Sequence, residues 1–240
     1  MGGQYWLMGL GAALLGLAAT LLVRLLRERG ARARSRAAYF DHCLPFLGNP
    51  RRQMTLHGFP RVAGDYRGFS FDLQAVPDTL TFRKLPALWL LVTLTRPMPV
   101  AATVDMMRNA TGGEVFSKFS LLPVQIAPPK QYPDDLSVRT DMPDAMPDDS
   151  LVSRYLDLFD TPQVKELVIA PQGLRIVRLA EEADRNRYLI FRDAEMGSAP
   201  LNPEAVLPLL DRLADLAAEL AGAAANRAGQ EEKMRHVKAG

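Results

Sequence analysis

Residues 5–23, YWLMGLGAALLGLAATLLV, carry no charged side chain, and no other stretch restricts the chain's possible folds so strongly. At a rise of ~1.5 Å per residue, a helix over this run matches the ~30 Å hydrocarbon core of a bilayer. The run predicts a single transmembrane helix. Arg24, Arg27, Arg29, Arg32, Arg34 and Arg36 follow it, and no Lys or Arg precedes it. The positive-inside bias then puts everything after Val23 on the cytoplasmic side of an inner membrane.

A secretory signal peptide carries its positive charge ahead of the apolar run and small residues behind it. Here the charge lies behind, and Leu21, Leu22 and Val23 continue the run up to it, so an uncleaved anchor is expected. The amino terminus fails the myristoylation pattern because Trp6 stands where Ser or Thr is needed. Tyr5 and Trp6 suit the outer aromatic belt. Gly9, Ala12, Ala13, Gly16, Ala19 and Thr20 recur at spacings of three and four, a small-residue stripe against which a second helix packs closely. The expected partner is another membrane protein or a second copy of the chain. The arginines are expected at the lipid surface, each worth up to ~1 kcal/mol near anionic headgroups.

With 48% hydrophobic and 23% charged residues, the chain as a whole has the make-up of a globular protein. The net charge of +2 is local, because the arginines behind the membrane run exceed it. Basic residues are not spread over the domain, which argues against nucleic acid as a partner. Cys43 is the sole cysteine, so neither an intramolecular disulfide nor a cysteine-based zinc site is available. Arginine in excess of lysine, with abundant alanine, points to a bacterial genome rich in G and C.

Four regions are expected: an anchor with a basic juxtamembrane helix (1–38), a linker (39–57), a cytoplasmic domain (58–225) and a flexible tail (226–240). Alternation over 64–76, the short run 79–83 and the apolar run 88–95 read as strands. So do 100–104, 114–122 and 136–140, with a Pro-rich connection over 123–133. Residues 148–159 place Leu151, Val152, Tyr155, Leu156 and Phe159 at helical spacing behind a cap at 148–150. Two strand runs, 164–170 and 174–179, flank Ala-Pro-Gln-Gly, the clearest hairpin in the chain. RYLIFR at 187–192 reads as one more strand. A final helix opens with Asn202 and Pro203, carries an apolar face from Val206 to Leu220, and starts in earnest near Leu207 because Pro208 lies too deep for a first turn. The expected fold class is α+β: a single transmembrane helix, then one mainly antiparallel-sheet domain with two helices, one of them C-terminal.

No phosphate-binding loop or Gly-x-Ser-x-Gly occurs, and His42, His57 and His236 lie far apart. Neither catalytic, cofactor nor metal residues emerge, and no cofactor is expected. The acidic run Asp134, Asp135, Asp141, Asp144, Asp148 and Asp149 lacks a calcium-loop pattern and reads as loop solvation and a helix cap. Arg175, Arg178 and Arg187 offer an anionic-ligand face if they share one side of a sheet. The leading expectation is a non-enzymatic, single-pass membrane protein whose domain serves as an accessory, assembly or scaffolding subunit through protein contacts. The alternative is a membrane-tethered sensory module for an anionic small molecule or lipid headgroup.

Overall fold

The structure, a computed structural model, describes residues 2–79, 85–191 and 194–238. Helix α1 (Gly2–Ala37) contains the uncharged run. Among the described residues it is the single helix long and apolar enough to cross a membrane, over Met8–Ala37, and its apolar stretch is wholly exposed.

Nine strands follow: β1 (Gly48–Met54), β2 (Pro60–Tyr66), β3 (Phe69–Asp78), β4 (Ala87–Leu94), β5 (Val104–Arg108), β6 (Val124–Ile126), β7 (Leu136–Thr140), β8 (Val164–Ala170) and β9 (Gly173–Glu182). They form one sheet in the order β1-β2-β3-β4-β9-β8-β5-β7-β6, with every neighbouring pair antiparallel. The expected α+β class holds. Helix α2 (Asp149–Val152) continues as a 3₁₀ helix (Ser153–Asp160), α3 spans Arg185–Phe191, and α4 spans Leu207–Lys238.

Strand alternation divides the sheet into two faces. Leu73, Val92, Ile176, Leu167, Met106 and Val138 stand directly opposite one another across six strands. All belong to the main core, where Leu209, Leu210, Leu213, Leu216 and Leu220 of α4 and Tyr155 and Phe159 of the 3₁₀ helix also lie. Each such side chain gains about 2 kcal/mol by leaving water. The helix that sequence periodicity placed at 202–225 thus packs on the middle of this face, against β4 and β9, beside the 3₁₀ helix on β8. Asn202 caps a short 3₁₀ turn by accepting from the Glu204 N–H at 3.0 Å, and α4 begins at Leu207 as Pro208 requires. It then continues to Lys238, past the end of its buried face.

Several local readings are corrected. The alternation over 64–76 is two strands, because Arg67 and Gly68 take positive φ values of 49° and 80° and close a two-residue hairpin between Tyr66 and Phe69. Residues 114–122 form turns and a 3₁₀ segment, since β6, inside the supposed Pro-rich connection, takes the place beside β7. Only Val104 of the run 100–104 is strand, and β5 extends beyond it. Residues 187–191 are helical: β4 and β9 already have partners on both sides, and the Asp184 carbonyl accepts from the Tyr188 N–H at 2.9 Å, starting a helical turn. The run 79–83 falls almost wholly outside the described residues.

Candidate functional site

The joint between α1 and the domain is packed. Two residues past the helix end, Tyr39 and Phe40 are fully buried, and each ring meets its neighbour edge-on: Tyr39 lies 5.2 Å from Phe40 and 5.2 Å from Phe59. The Tyr39 carbonyl accepts from the Leu201 N–H at 2.7 Å. Gly197, at φ +72°, brings its backbone against Phe59 and donates to the Glu181 carboxylate at 2.8 Å. Burial pushes the Cys43 thiol up to about 11, so it is a packed, unreactive thiol. Arg36 donates to the Met196 carbonyl at 3.4 Å with its guanidinium 5.3 Å from the Phe59 ring centre. It is therefore part of the joint, unlike Arg24, Arg27, Arg29 and Arg34, which are exposed; Arg32 is half-buried. Gly9, Ala12, Ala13, Gly16 and Thr20 are exposed on α1, and a methyl group added at Gly9 or Gly16 would meet nothing within 4 Å.

The sheet face opposite α4 is polar. Asp72, Thr93, Arg175, Val168 and Asp105 form one cross-strand row, and Arg61, Gln74, Leu91, Val177, Glu166 and Met107 form the next. Over β5, β8 and β9 this face is roofed by residues 109–122. Phe116 and Phe119 of the roof pack on a second apolar cluster with Leu91, Met107 and Val177, and the Phe116 ring centre lies 4.8 Å from that of Trp89. Beneath the roof, Asp105 and Glu166 lie diagonally on adjacent strands, 3% and 0% exposed. Asp105 Oδ1 and Glu166 Oε2 are enclosed with no conventional donor.

Burial, reinforced by the charge of Glu166, pushes the Asp105 carboxyl up to about 9, and Arg175 pulls the other way. Burial also raises Glu166, against the opposing effects of Ser117 and Arg175. Raised to that level, Asp105 is protonated at neutral pH and so adds no second charge beside Glu166. The Ser117 hydroxyl donates to the other Glu166 oxygen, and Arg175 donates to the Phe116 carbonyl at 3.4 Å. At the rim, Glu114 accepts from the Thr111 N–H at 2.7 Å and lies 3.6 Å from Lys165, while Arg139 donates to the Leu122 carbonyl at 2.8 Å. The pair thus fastens the roof to the sheet.

Over β1, β2 and β3 the same face is open. A groove of about 500 Å³ is lined by Arg51, Arg52, Gln53, Arg61, Ala63, Asp72 and Thr95.

Arg175 and Arg178 do not share a face. Arg175 lies on the roofed side, whereas Arg178 reaches the Ala205 carbonyl at 2.9 Å on the α4 side, and Arg187 is in α3 with its side chain outside the described residues. Residues three apart on a strand point oppositely, which is why Arg175 and Arg178 do not form one surface. Among the described residues, no three His, Cys, Asp or Glu side chains are placed to hold a metal ion. Asp105 and Glu166 escaped sequence analysis although each left a mark, as a lone carboxylate inside an otherwise apolar strand run (VDMM and KELVI). The chain matches no known protein family, and no curated protein is similar to it.

Proposed function

We propose that the chain is a single-pass inner-membrane protein of bacterial type, with α1 spanning the bilayer and the domain held on the cytoplasmic side as an accessory or assembly subunit. One observation carries the reading: the helix that contains the exposed, uncharged run continues without a break through its arginines to a joint whose first residues, Tyr39 and Phe40, are core residues of the domain. A tether that only confined the domain to the surface would work with a flexible linker. A packed joint fixes the domain's orientation relative to the helix, which suits docking against a neighbouring membrane protein. The convergent carboxyls lie sealed under the roof, so they serve packing better than turnover.

The test combines topology with association. A cytoplasm-dependent reporter fused after Gly240 is expected to be active, the protein to stay in the membrane through an alkaline carbonate wash, and in-cell crosslinking to capture a discrete partner or dimer. Activity of an export-dependent reporter at the same site, or recovery of the protein alone across several detergents and crosslinkers, would overturn the reading. The open arginine groove favours a second reading, a ligand-binding role for the domain.

A further inference from the structure

We infer that the open groove on β1, β2 and β3 is a binding site for a phosphate group on a small soluble molecule. Its shape follows from strand register. On this face Arg51 stands opposite Ala63, Ala63 opposite Asp72, Gln53 opposite Arg61, and Arg61 opposite Gln74. Ala63 is the small residue in this grid, so longer side chains wall a hollow above its methyl group. The hollow's volume of about 500 Å³ falls in the range of small-molecule sites, ~300–1,000 Å³.

Arg61 is the donor held in place. Asp72, 7% exposed, takes the Nε–H of Arg61 on both its oxygens, at 2.7 and 3.0 Å. That grip fixes the guanidinium and leaves its two terminal nitrogens free to fork onto an oxyanion. Arg51 is exposed on the edge strand, where its charge acts on the Asp65 carboxylate without a close ion pair. Arg52 closes the rim, tied to Asp41 at 2.9 Å. Arg51 and Arg61 face the hollow with one carboxylate, Asp72, which is committed to Arg61, whereas Arg52 stands opposite Val62 and so belongs to the other face of the strand. Arg51 and Arg61 are diagonal neighbours, ~7–8 Å apart at the backbone. A tetrahedral phosphate has enough acceptor oxygens to receive a fork from each, whereas a planar carboxylate fills one.

A soluble source suits the geometry better than a lipid headgroup. The helical residues between Val23 and Ala37 set the domain ~20 Å beyond the apolar run at ~1.5 Å per residue.

The experiment titrates inorganic pyrophosphate calorimetrically into the full chain in nanodiscs of phosphatidylcholine alone and of phosphatidylcholine with phosphatidylglycerol. Saturable binding is expected in both, weakened at least tenfold by Arg51→Ala and by Arg61→Ala. Arg61→Ala strands the buried Asp72 and risks misfolding, so Arg51→Ala, on an exposed strand, is decisive once its circular dichroism matches the parent. Affinity equal in the two nanodiscs supports a soluble ligand; affinity lowered by phosphatidylglycerol assigns the same phosphate site to a lipid headgroup and overturns the soluble source. No saturable binding in phosphatidylcholine, or unchanged affinity in folded Arg51→Ala, overturns the site itself.

Discussion

Asp105 on β5 and Glu166 on β8 are buried beneath the 109–122 roof, sharing one enclosed space in which burial raises both carboxyls. The arrangement is costly for a sheet that had apolar residues to spare, since an unpaired buried carboxylate loses several kcal/mol of hydration. Its effect is to join strand, roof and Arg175 through polar contacts that only one packing satisfies.

That sharing fixes the sign of a pH dependence. Asp105 rises from the usual carboxylate range, near 3.8, to about 9 in the fold. The folded protein therefore binds more protons than the unfolded chain between those values, and stability falls as pH rises through the interval, by up to about 1 kcal/mol per pH unit. The upward shift of Glu166 acts in the same direction. Urea midpoints should drop from pH 5 to pH 8, and Asp105→Asn, which keeps a donor toward Glu166, should flatten the profile. An identical slope in the variant would show that another group carries the effect.

The roof supplies a second test. Phe116, 7% exposed, closes the apolar cluster over Trp89 and offers its carbonyl to Arg175. Phe116→Ala should cost about 3 kcal/mol and shift tryptophan emission to the red as water reaches Trp89. It should also lower the Asp105 pKa toward its usual range, because burial is the largest cause of the shift. A destabilised variant with unchanged emission would mean that the roof stays shut without the ring.

How much of this the residues announced depends on the range of the interaction. The apolar helix at the amino terminus, the hairpin of 164–170 and 174–179 and the α4 stripe are local patterns, and each of these elements stands where its pattern put it. The 170–173 turn even explains its glycine, since a Cβ at Gly173 would lie 2.2 Å from the Leu94 carbonyl oxygen. Strand order was not legible: β4 pairs with β9, close to the far end of the chain, and no local pattern encodes that choice. The candidate sites suffered for the same reason. Arg175, Arg178 and Arg187 were grouped by nearness in sequence, whereas Arg51, Arg61 and Asp72 come together only through the register of three strands. Residues 187–192 misled because their β-forming composition had no free sheet edge beside β9 to join.

Gly197 tests the joint. A Cβ there would sit 2.4 Å from the Phe59 ring, and φ is +72°, a region that non-glycine residues occupy at a cost. Phe59 cannot retreat, because it is fully buried and edge-on to Tyr39. Gly197→Ala should lose about 2 kcal/mol or more. It should also raise amide exchange at Leu201, whose N–H is bonded to the Tyr39 carbonyl. If exchange rises evenly over the whole sheet instead, the joint is no separate unit.

The exposed stripe on α1 tests whether the proposed membrane helix has a partner. A methyl group at Gly16 meets nothing in the isolated chain, so Gly16→Leu should leave the domain's stability unchanged and, being more apolar, should not weaken membrane retention. If a partner helix packs along Gly9, Ala12, Ala13, Gly16 and Thr20, the larger side chain forces the two backbones apart, and van der Waals contact between helices falls off steeply over that distance. The yield of crosslinked complex should then drop several-fold while the membrane-bound amount stays constant. Replacing Leu15, on another side of α1, with Phe should leave the yield unaltered. Equal yields from Gly16→Leu and the parent would place any partner on the domain, which the packed joint ties to the end of α1.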